Sequence, residues 1–407
     1  MPGPIPQHVL NSIPKANDPH HPHHPHHPHR RKALVAMSGG VDSSVAAAAM
    51  VHAGWEVVGC FMRLGSPDET LEENPDGADT RIGHRGCCSI GDAHDARLVA
   101  ADLNIPLYVC NFREDFGRII DYFVDAYAMG RTPNPCVRCN DWLKFGKLHA
   151  YARSIGASVV VSGHYARVDH AGPRPRLLRG RDHAKDQSYV LFGAPLDRLA
   201  EMVLPIGQFE DKQEVRDAAR ALGLNVASKP DSQEICFVPD DDYAGLVERR
   251  RPDLAAAGSV LTIDGRPLGE HRGQHRFTIG QRRGLGIAAD RPLYVVAKDP
   301  AANTVTLGPA QALLCERAEA GEANWLGPRP ADGSPVLVRY RAHGQEVHAR
   351  LWHLPEGEQQ TPSGRRGRFA LEFETPQRAI APGQAAVLFD PQDTDLVLGG
   401  GWLESAE

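Results

Sequence analysis

Aromatic residues make up only 6% of this 407-residue chain, and no apolar run approaches the length of a membrane span. The longest, Val45–Val51, covers about a third of the roughly 20 residues that a bilayer demands. A charged stretch followed by an apolar one is also missing from the first residues, so nothing points to secretion. The expected location is cytoplasmic, with no membrane partner. There is no internal repeat. Net charge is −6, which excludes a uniformly basic surface, so a nucleic-acid partner would have to meet cations concentrated locally. No second C-x-x-C and no H-x-x-x-H follows in the folded part, which argues against structural zinc.

What is present begins with ordinary globular composition, 42% hydrophobic and 24% charged, and length enough for two or three domains. Residues 1–31 are rich in Pro and His and are expected to be a disordered tail. From Ala33 short apolar runs (Ala33–Met37, Glu56–Met62, Pro106–Phe112, Ser158–Ser162) alternate with helical stretches (Ser43–Ala53, Asp92–Leu103, Phe116–Ala128, Leu143–Ile155, Lys212–Leu222). That rhythm predicts an α/β fold with a doubly wound parallel sheet over residues 32–240, which binds ligands at the carboxyl ends of its strands. Residues 241–310 mix a short helix with β-like runs and read as a small central α+β domain. Short segments separated by turn residues over 311–407 read as a small antiparallel barrel or sandwich, and a C-terminal β-barrel is the expected form.

Directly after the first strand comes Ser38-Gly39-Gly40-Val41-Asp42-Ser43-Ser44, opening a helix. Glycines allow the backbone close to a ligand, and a helix N-terminus presents N–H groups to an anion. Asp42 either holds Mg²⁺ against phosphates or caps the helix. The Gly-Lys-Ser/Thr ending of a Walker loop is absent, which points away from γ-phosphoryl transfer. The motif resembles the pyrophosphate-binding PP-loop of ATP pyrophosphatases, which implies ATP cleaved to AMP and pyrophosphate.

The eight cysteines do not read as a disulfide framework in a cytosolic chain. Cys60 and Cys110 sit in apolar runs and read as inert core thiols. Cys136 and Cys139, in Arg131-Thr-Pro-Asn-Pro-Cys136-Val-Arg-Cys139-Asn140, and Cys236, in Lys229-Pro-Asp-Ser-Gln-Glu-Ile-Cys236, lie in polar, Pro-bounded contexts where a thiol reacts. Two chemistries suit three such thiols. Either Cys236 carries a persulfide that Cys139 attacks or resolves, or all three ligate an iron–sulfur cluster. Arg131, Arg138 and Lys144 offer nearby positive charge. A basic run, His271–Arg283, holds Arg272, Arg276, Arg282 and Arg283 without an acid.

With Ser38–Ser43, Phe61-Met62, Gly163-His164-Tyr165-Ala166-Arg167, Lys185-Asp186-Gln187-Ser188-Tyr189, Asn134–Asn140, Ser232–Phe237, Phe277–Arg282, Arg339-Tyr340-Arg341 and Pro382-Gly-Gln384 in order, the chain resembles the tRNA-specific 2-thiouridylase family from about Lys32 to Trp402. The resemblance implies that Ala36, Met37, Ser38, Gly39, Gly40, Val41, Asp42, Ser43, Met62 and Gly163 contact ATP. It implies that Cys139 is the nucleophile and that Cys236 bears the persulfide and forms a transient disulfide with Cys139. His164, Lys185, Asp186, Gln187, Arg339, Tyr340 and Gln384 would contact tRNA. The implied substrate is the wobble uridine of Lys, Glu and Gln tRNAs, and the sulfur arrives from a cysteine desulfurase or a sulfur-relay protein. Some members carry an aspartate where this chain has Cys136, which leaves that thiol as acid/base, spare thiol or cluster ligand.

Overall fold

The computed structural model describes residues 3–15, 31–65, 90–231, 235–238, 242–357 and 361–407. They form two compact units. The first takes Met1–Gly117, Cys136–Pro239 and Asp395–Val397; the second takes Arg118–Pro135, Asp240–Thr394 and Leu398–Glu407.

In the first unit, α1 (Gln7–Ser12) precedes β1 (Lys32–Ala36), α2 (Val41–His52), β2 (Glu56–Arg63), α3 (Ile90–Asp102), β3 (Leu107–Asn111) and α4 (Arg113–Ala128), which crosses into the second unit. Then come α5 (Pro135–Cys139), a nine-residue π-helix (Asn140–Leu148), α6 (His149–Ser154), β4 (Ala157–Val161), β5 (Ala166–Asp169), β6 (Arg176–Arg179), α7 (Leu196–Ala200), β7 (Met202–Val203) and α8 (Lys212–Ala221). The sheet order is β3-β2-β1-β4-β7, and every pairing is parallel. β1 is covered on both faces, as its unbroken apolar run requires. α2 packs on α8 and buries everything from Ser43 to Met50, its alanines permitting close contact all round. α8 starts at Asp211, whose carboxylate accepts from Glu214 N at 2.8 Å.

Residues 3–15 depart from the expected disorder of 1–31. Ile5, Val9 and Ile13, spaced by four, put one apolar stripe into the core of the first unit. Trp55 Nε1 and His8 anchor the segment through Pro14 O (3.0 Å) and Gln208 O (3.1 Å). The histidine run of the tail lies outside the described residues. The helix expected from Leu143 starts earlier, at Pro135, and widens to π pitch. The antiparallel β5–β6 hairpin had no sequence signal strong enough to mark it.

In the second unit, α9 (Tyr243–Arg250) leads into β8 (Gly258–Thr262), β9 (Pro267–His271), β10 (Tyr294–Asp299) and β11 (Thr304–Gly308), ordered β10-β11-β8-β9. β12 (Leu314–Trp325), β13 (Ser334–Arg339), β14 (Val347–Leu354), β15 (Arg368–Arg378), β16 (Ala385–Phe389) and β17 (Val397–Ala406) close into a six-stranded barrel, which removes free sheet edges. Among the described residues no helix is long and apolar enough to cross a membrane.

Phe369 is wholly buried in the barrel, its ring 5.6 Å from that of Trp325. Phe369→Ala is expected to cost about 3–5 kcal/mol, read as a lower guanidinium midpoint followed by tryptophan fluorescence. An unchanged midpoint would contradict this packing.

Candidate nucleotide and thiol site

β1 makes its last sheet bond at Met37, whose N–H donates to Cys60 O at 2.9 Å. The chain then turns through Ser38–Gly40. Gly39 has φ 74°, and a Cβ there would run into the backbone of Asp92. Gly40 is the N-cap of α2 and has no side chain to cap it, so the first-turn N–H groups lack a side-chain capping oxygen, an arrangement suited to an anion. Ser43 Oγ accepts from Ser38 N (3.2 Å) and donates to Gly40 O (3.1 Å), while Ser44 Oγ donates to Gly40 O at 2.8 Å. Gly163, past the end of β4, lies so close to α2 that an added Cβ would sit 2.7 Å from Ser43 N. The turn Ser38–Ser43 and Gly163 are thus brought together, with Ala36 and Met37 buried beneath and Met62 half-buried at the end of β2.

Asp42 neither caps α2 nor stands free for a metal. It accepts from Tyr165 Oη at 2.8 Å and from Lys212 Nζ at 2.8 and 2.9 Å. Lys212 also meets Asp231 at 2.8 Å, and Lys185 (3.1 Å) and Arg216 (3.2 Å) converge on the same carboxylate. Lys229 Nζ donates to Gly39 O at 2.9 Å and pairs with Asp92 (2.7 Å) and Asp95 (2.6 Å). Burial alone would raise the Asp231 pKa, but Lys212 and Lys185 outweigh it and hold the carboxyl below its usual range. Burial and the adjacent Asp42 push the Tyr165 phenol far up, so its proton stays on the bond to Asp42.

Lys229 and Asp231 head the segment that ends in Cys236. The root of that thiol loop is therefore tied to the phosphate turn at two points. Sequence reasoning assigned no role to Lys212, Lys229, Asp231, Asp92 or Tyr165. The available signal was the Lys229-Pro-Asp231 triplet just upstream of Cys236.

Cys236 is half-buried, and its neighbour Phe237 packs edge-on against Phe116 at 5.6 Å. Cys139 is half-buried at the junction of α5 and the π-helix, and Cys136 is exposed. Asn140 anchors that junction through Val190 O (2.9 Å). Arg138 is buried against the Trp142 ring at 5.5 Å. Among the described residues no group of three or more His, Cys, Asp or Glu side chains is placed to hold a metal ion. Cys60 and Cys110 are not both inert core thiols. Their mutual hydrogen bond drives Cys60 far up and brings half-exposed Cys110 down to about 7.

The residues implied as RNA contacts fall into different settings. Lys185 is partly exposed on Asp231. Asp186 accepts from Gly180 N, Ser188 N and Ser188 Oγ, closing its own turn, and Gln187 Oε1 accepts from Tyr165 N at 3.0 Å. His164 bridges Ser162 Oγ (2.7 Å) and Lys144 Nζ (3.1 Å). In the second unit Arg339 is buried, donating through Nε to Glu346 at 2.7 Å and lying over Phe389. Tyr340 Oη reaches Gln377 at 3.3 Å, and Gln384 Nε2 donates to Thr132 O and Pro133 O. Asp186, Gln187, Arg339 and Gln384 hold backbone or ion-pair geometry here, so any contact they make with RNA needs other atoms or another arrangement.

A parallel sheet that opens through a glycine–serine turn onto an uncapped helix defines a nucleotide-binding α/β enzyme domain. The family model described as tRNA methyl transferase HUP domain matches residues 31–240. Those described as tRNA methyl transferase PRC-barrel domain and aminomethyltransferase beta-barrel domain match 247–309 and 316–403. The tRNA-specific 2-thiouridylase MnmA of Rhodopirellula baltica is 44% identical over 397 residues, covering 92% of this chain and 96% of its own. Its namesake from Moorella thermoacetica is 45% identical over 377 residues, covering 91% and 99%. The chain belongs to the tRNA-specific 2-thiouridylase family and is an enzyme of that family. A solved 4-thiouridine synthetase–RNA complex with bound ATP is 17% identical, with a TM-score of 0.32 over 55% of this chain and 51% of that one, too slight a likeness to bear an argument.

Two outcomes follow from the geometry. Gly163→Ala forces β4 and the first turn of α2 apart, at about 1–3 kcal/mol of overpacking, and is expected to weaken pyrophosphate binding in calorimetry while leaving the barrel intact. Wild-type affinity would contradict the close approach. Burial holds the imidazoles of His149, His164 and His170 below their ordinary value, with the Lys144 ammonium adding to the effect at His164. The unfolded chain takes up protons near pH 6.5 that the folded protein refuses, so stability falls as pH drops from 7 to 5. The carboxylates held low, Glu201 (to about 2) and Asp231, lose their contribution only below the ordinary carboxylate range. Urea midpoints at pH 7, 6 and 5 should decline, and His164→Asn should flatten the decline.

Proposed function

We propose that this enzyme thiolates carbon 2 of the wobble uridine in tRNAs for lysine, glutamate and glutamine, consuming ATP and releasing AMP and pyrophosphate. The observation that carries the reading is the tie between the phosphate turn and the Cys236 loop: Lys229 on Gly39 O, and Asp231 through Lys212 to Asp42. The names and extent of the relatives support the substrate class.

The chain's residues fit ATP. The turn has no room for a side chain at Gly39 or Gly163, and the open N-terminus of α2 suits a phosphate. Mg²⁺ would have to reach the phosphates with Asp42 already engaged by Lys212, so this reading gives Lys212 the neutralising role nearest the turn. In the proposed sequence the uridine O2 attacks the α-phosphorus and pyrophosphate leaves. The terminal sulfur of a Cys236 persulfide then attacks carbon 2, and AMP departs with the oxygen. Cys139 thiolate attacks Cys236 Sγ, breaking its bond to the transferred sulfur and leaving the 2-thiouridine and a Cys139–Cys236 disulfide. An external dithiol reduces that disulfide, and a cysteine desulfurase or relay protein reloads Cys236. In this scheme Cys136, the exposed thiol, serves as proton shuttle or spare thiol. An iron–sulfur cluster on Cys136, Cys139 and Cys236 is the rival reading of the same thiols.

Cys139→Ser and Cys236→Ser are each expected to reduce 2-thiouridine to background in nucleoside mass spectrometry, while tRNA-dependent AMP release persists. Wild-type thiolation by either variant refutes the two-thiol route. Full activity of anaerobically purified protein without iron or acid-labile sulfide removes the cluster.

A further inference from the structure

The basic run His271–Arg283 has a definite shape in the second unit. Its carboxyl half folds back on β10: Gly280 N donates to Val295 O (2.8 Å), Val295 N to Gln281 O (3.0 Å), and Gln281 closes the turn through Thr278 N and Arg283 O. His275 and Arg276 are spent on Glu248. The fold-back makes one wall of a cleft of about 410 Å³, whose opposite side is the start of β12 and the loop after β15. That volume lies within the roughly 300–1,000 Å³ of small-ligand sites.

The walls mix polar and apolar surface; Leu314, 50% exposed, and Ile279 supply the aliphatic part, with Leu313 and Ile380 nearly buried behind them. Lys298 opens into the same space. Among the described residues its Nζ donates to Phe277 O at 2.8 Å and meets no carboxylate. An ammonium carries three donors, so two remain for a ligand. Burial brings its pKa down to about 8, with no ion pair pulling it back up. A cation so placed disfavours its own charge until an anion arrives. Among the lining residues, the exposed Glu407 has a carboxyl side chain. One residue along the chain from the lining Ala379, Arg378 stacks over Tyr294 at 4.5 Å, and Arg282 adds its field at that phenol. Arg341 donates to Arg378 O and Ala379 O and fixes that edge.

We propose that this cleft takes one unstacked nucleotide of the RNA partner, its base against Ile279, Leu313, Leu314 and Ile380 and its phosphate on Lys298, with Arg282 and Arg378 on flanking phosphates. A cleft that offers exposed aliphatic side chains and one cation without a carboxylate partner among the described residues, with a guanidinium–aromatic stack next to it in the chain, matches a splayed base and its backbone. The inference rests on the reading that the chain acts on tRNA. It adds a second grip, in the unit that does not contain the phosphate turn.

The test uses the full chain and an unmodified tRNA transcript, with affinity measured by anisotropy across a salt series. Lys298→Met is expected to weaken binding about tenfold and to lower the salt slope by about one, and Lys298→Arg to restore both. In parallel, Lys298 of the wild-type protein is labelled with an amine-reactive ester near pH 8 and quantified by mass spectrometry, with saturating transcript expected to protect it. A folded Lys298→Met protein with wild-type affinity and slope overturns the proposal, as does undiminished labelling under transcript. If the wild-type protein binds no transcript at any salt, the tRNA reading itself falls and this inference with it. Loss of affinity only in Lys298→Met leaves the sulfur chemistry untouched and isolates the cleft.

Discussion

Lys212 stands between two carboxylates that belong to different parts of the first unit: Asp42 on the first turn of α2, and Asp231 at the head of the Cys236 loop. Its side chain is only 13% exposed, against 29% for Asp42 and 21% for Asp231. Without that ammonium, two acids would face each other beside the glycine–serine turn. Truncating one partner of a fully buried pair costs about 3–5 kcal/mol, and the residual exposure here lowers that figure. The larger effect is positional. The lysine converts a glycine–serine turn and a cysteine loop, far apart in sequence, into one electrostatic assembly. Tyr165 and Lys229 complete it from two further directions.

The same assembly explains why so many of the charged residues are not free. Lys185 and Arg216 share Asp231, Asp92 and Asp95 share Lys229, and His164 is held neutral between Ser162 and Lys144. A site that handles a polyanionic nucleotide needs cations, yet cations crowded without acids would repel one another. Pairing each lysine with one or two acids leaves a balanced surface with its lysine donors already in place. The π-helix begins directly after the other thiol, with Cys139 as its N-cap, consistent with the tendency of π-helical turns to occur at functional sites.

Most of the sheet was legible because β1, β2 and β4 are largely buried apolar runs, and β3, exposed at the end of the sheet order, is still rich in apolar residues. The turn Ser38–Ser44 was legible for the same local reason: glycines and hydroxyls in consecutive positions. The barrel showed itself through short runs separated by turns. Features built from distant residues were not visible. Nothing in the spacing of Asp42, Lys212 and Asp231 marks them as partners, and the π pitch from Asn140 looks in sequence like an ordinary helix. The stripe Ile5–Val9–Ile13 was hidden by the Pro and His around it. Asp42 illustrates the limit: composition offered it metal binding or capping, whereas its position gave it a lysine and a tyrosine.

Three residues near the other end of the chain, Asp395–Val397, belong to the first unit. Asp395 pairs with Arg167 and His183 and accepts from Arg179 N at 2.9 Å, and Leu396 bridges to Leu178. A chain emerging from the ribosome at about 5–20 residues per second must therefore run on through most of the barrel strands, to residue 397, before the nucleotide-binding half receives these three residues. That half matures late, together with the barrel that is synthesised after it, and a fragment ending near residue 240 would lack part of its own fabric.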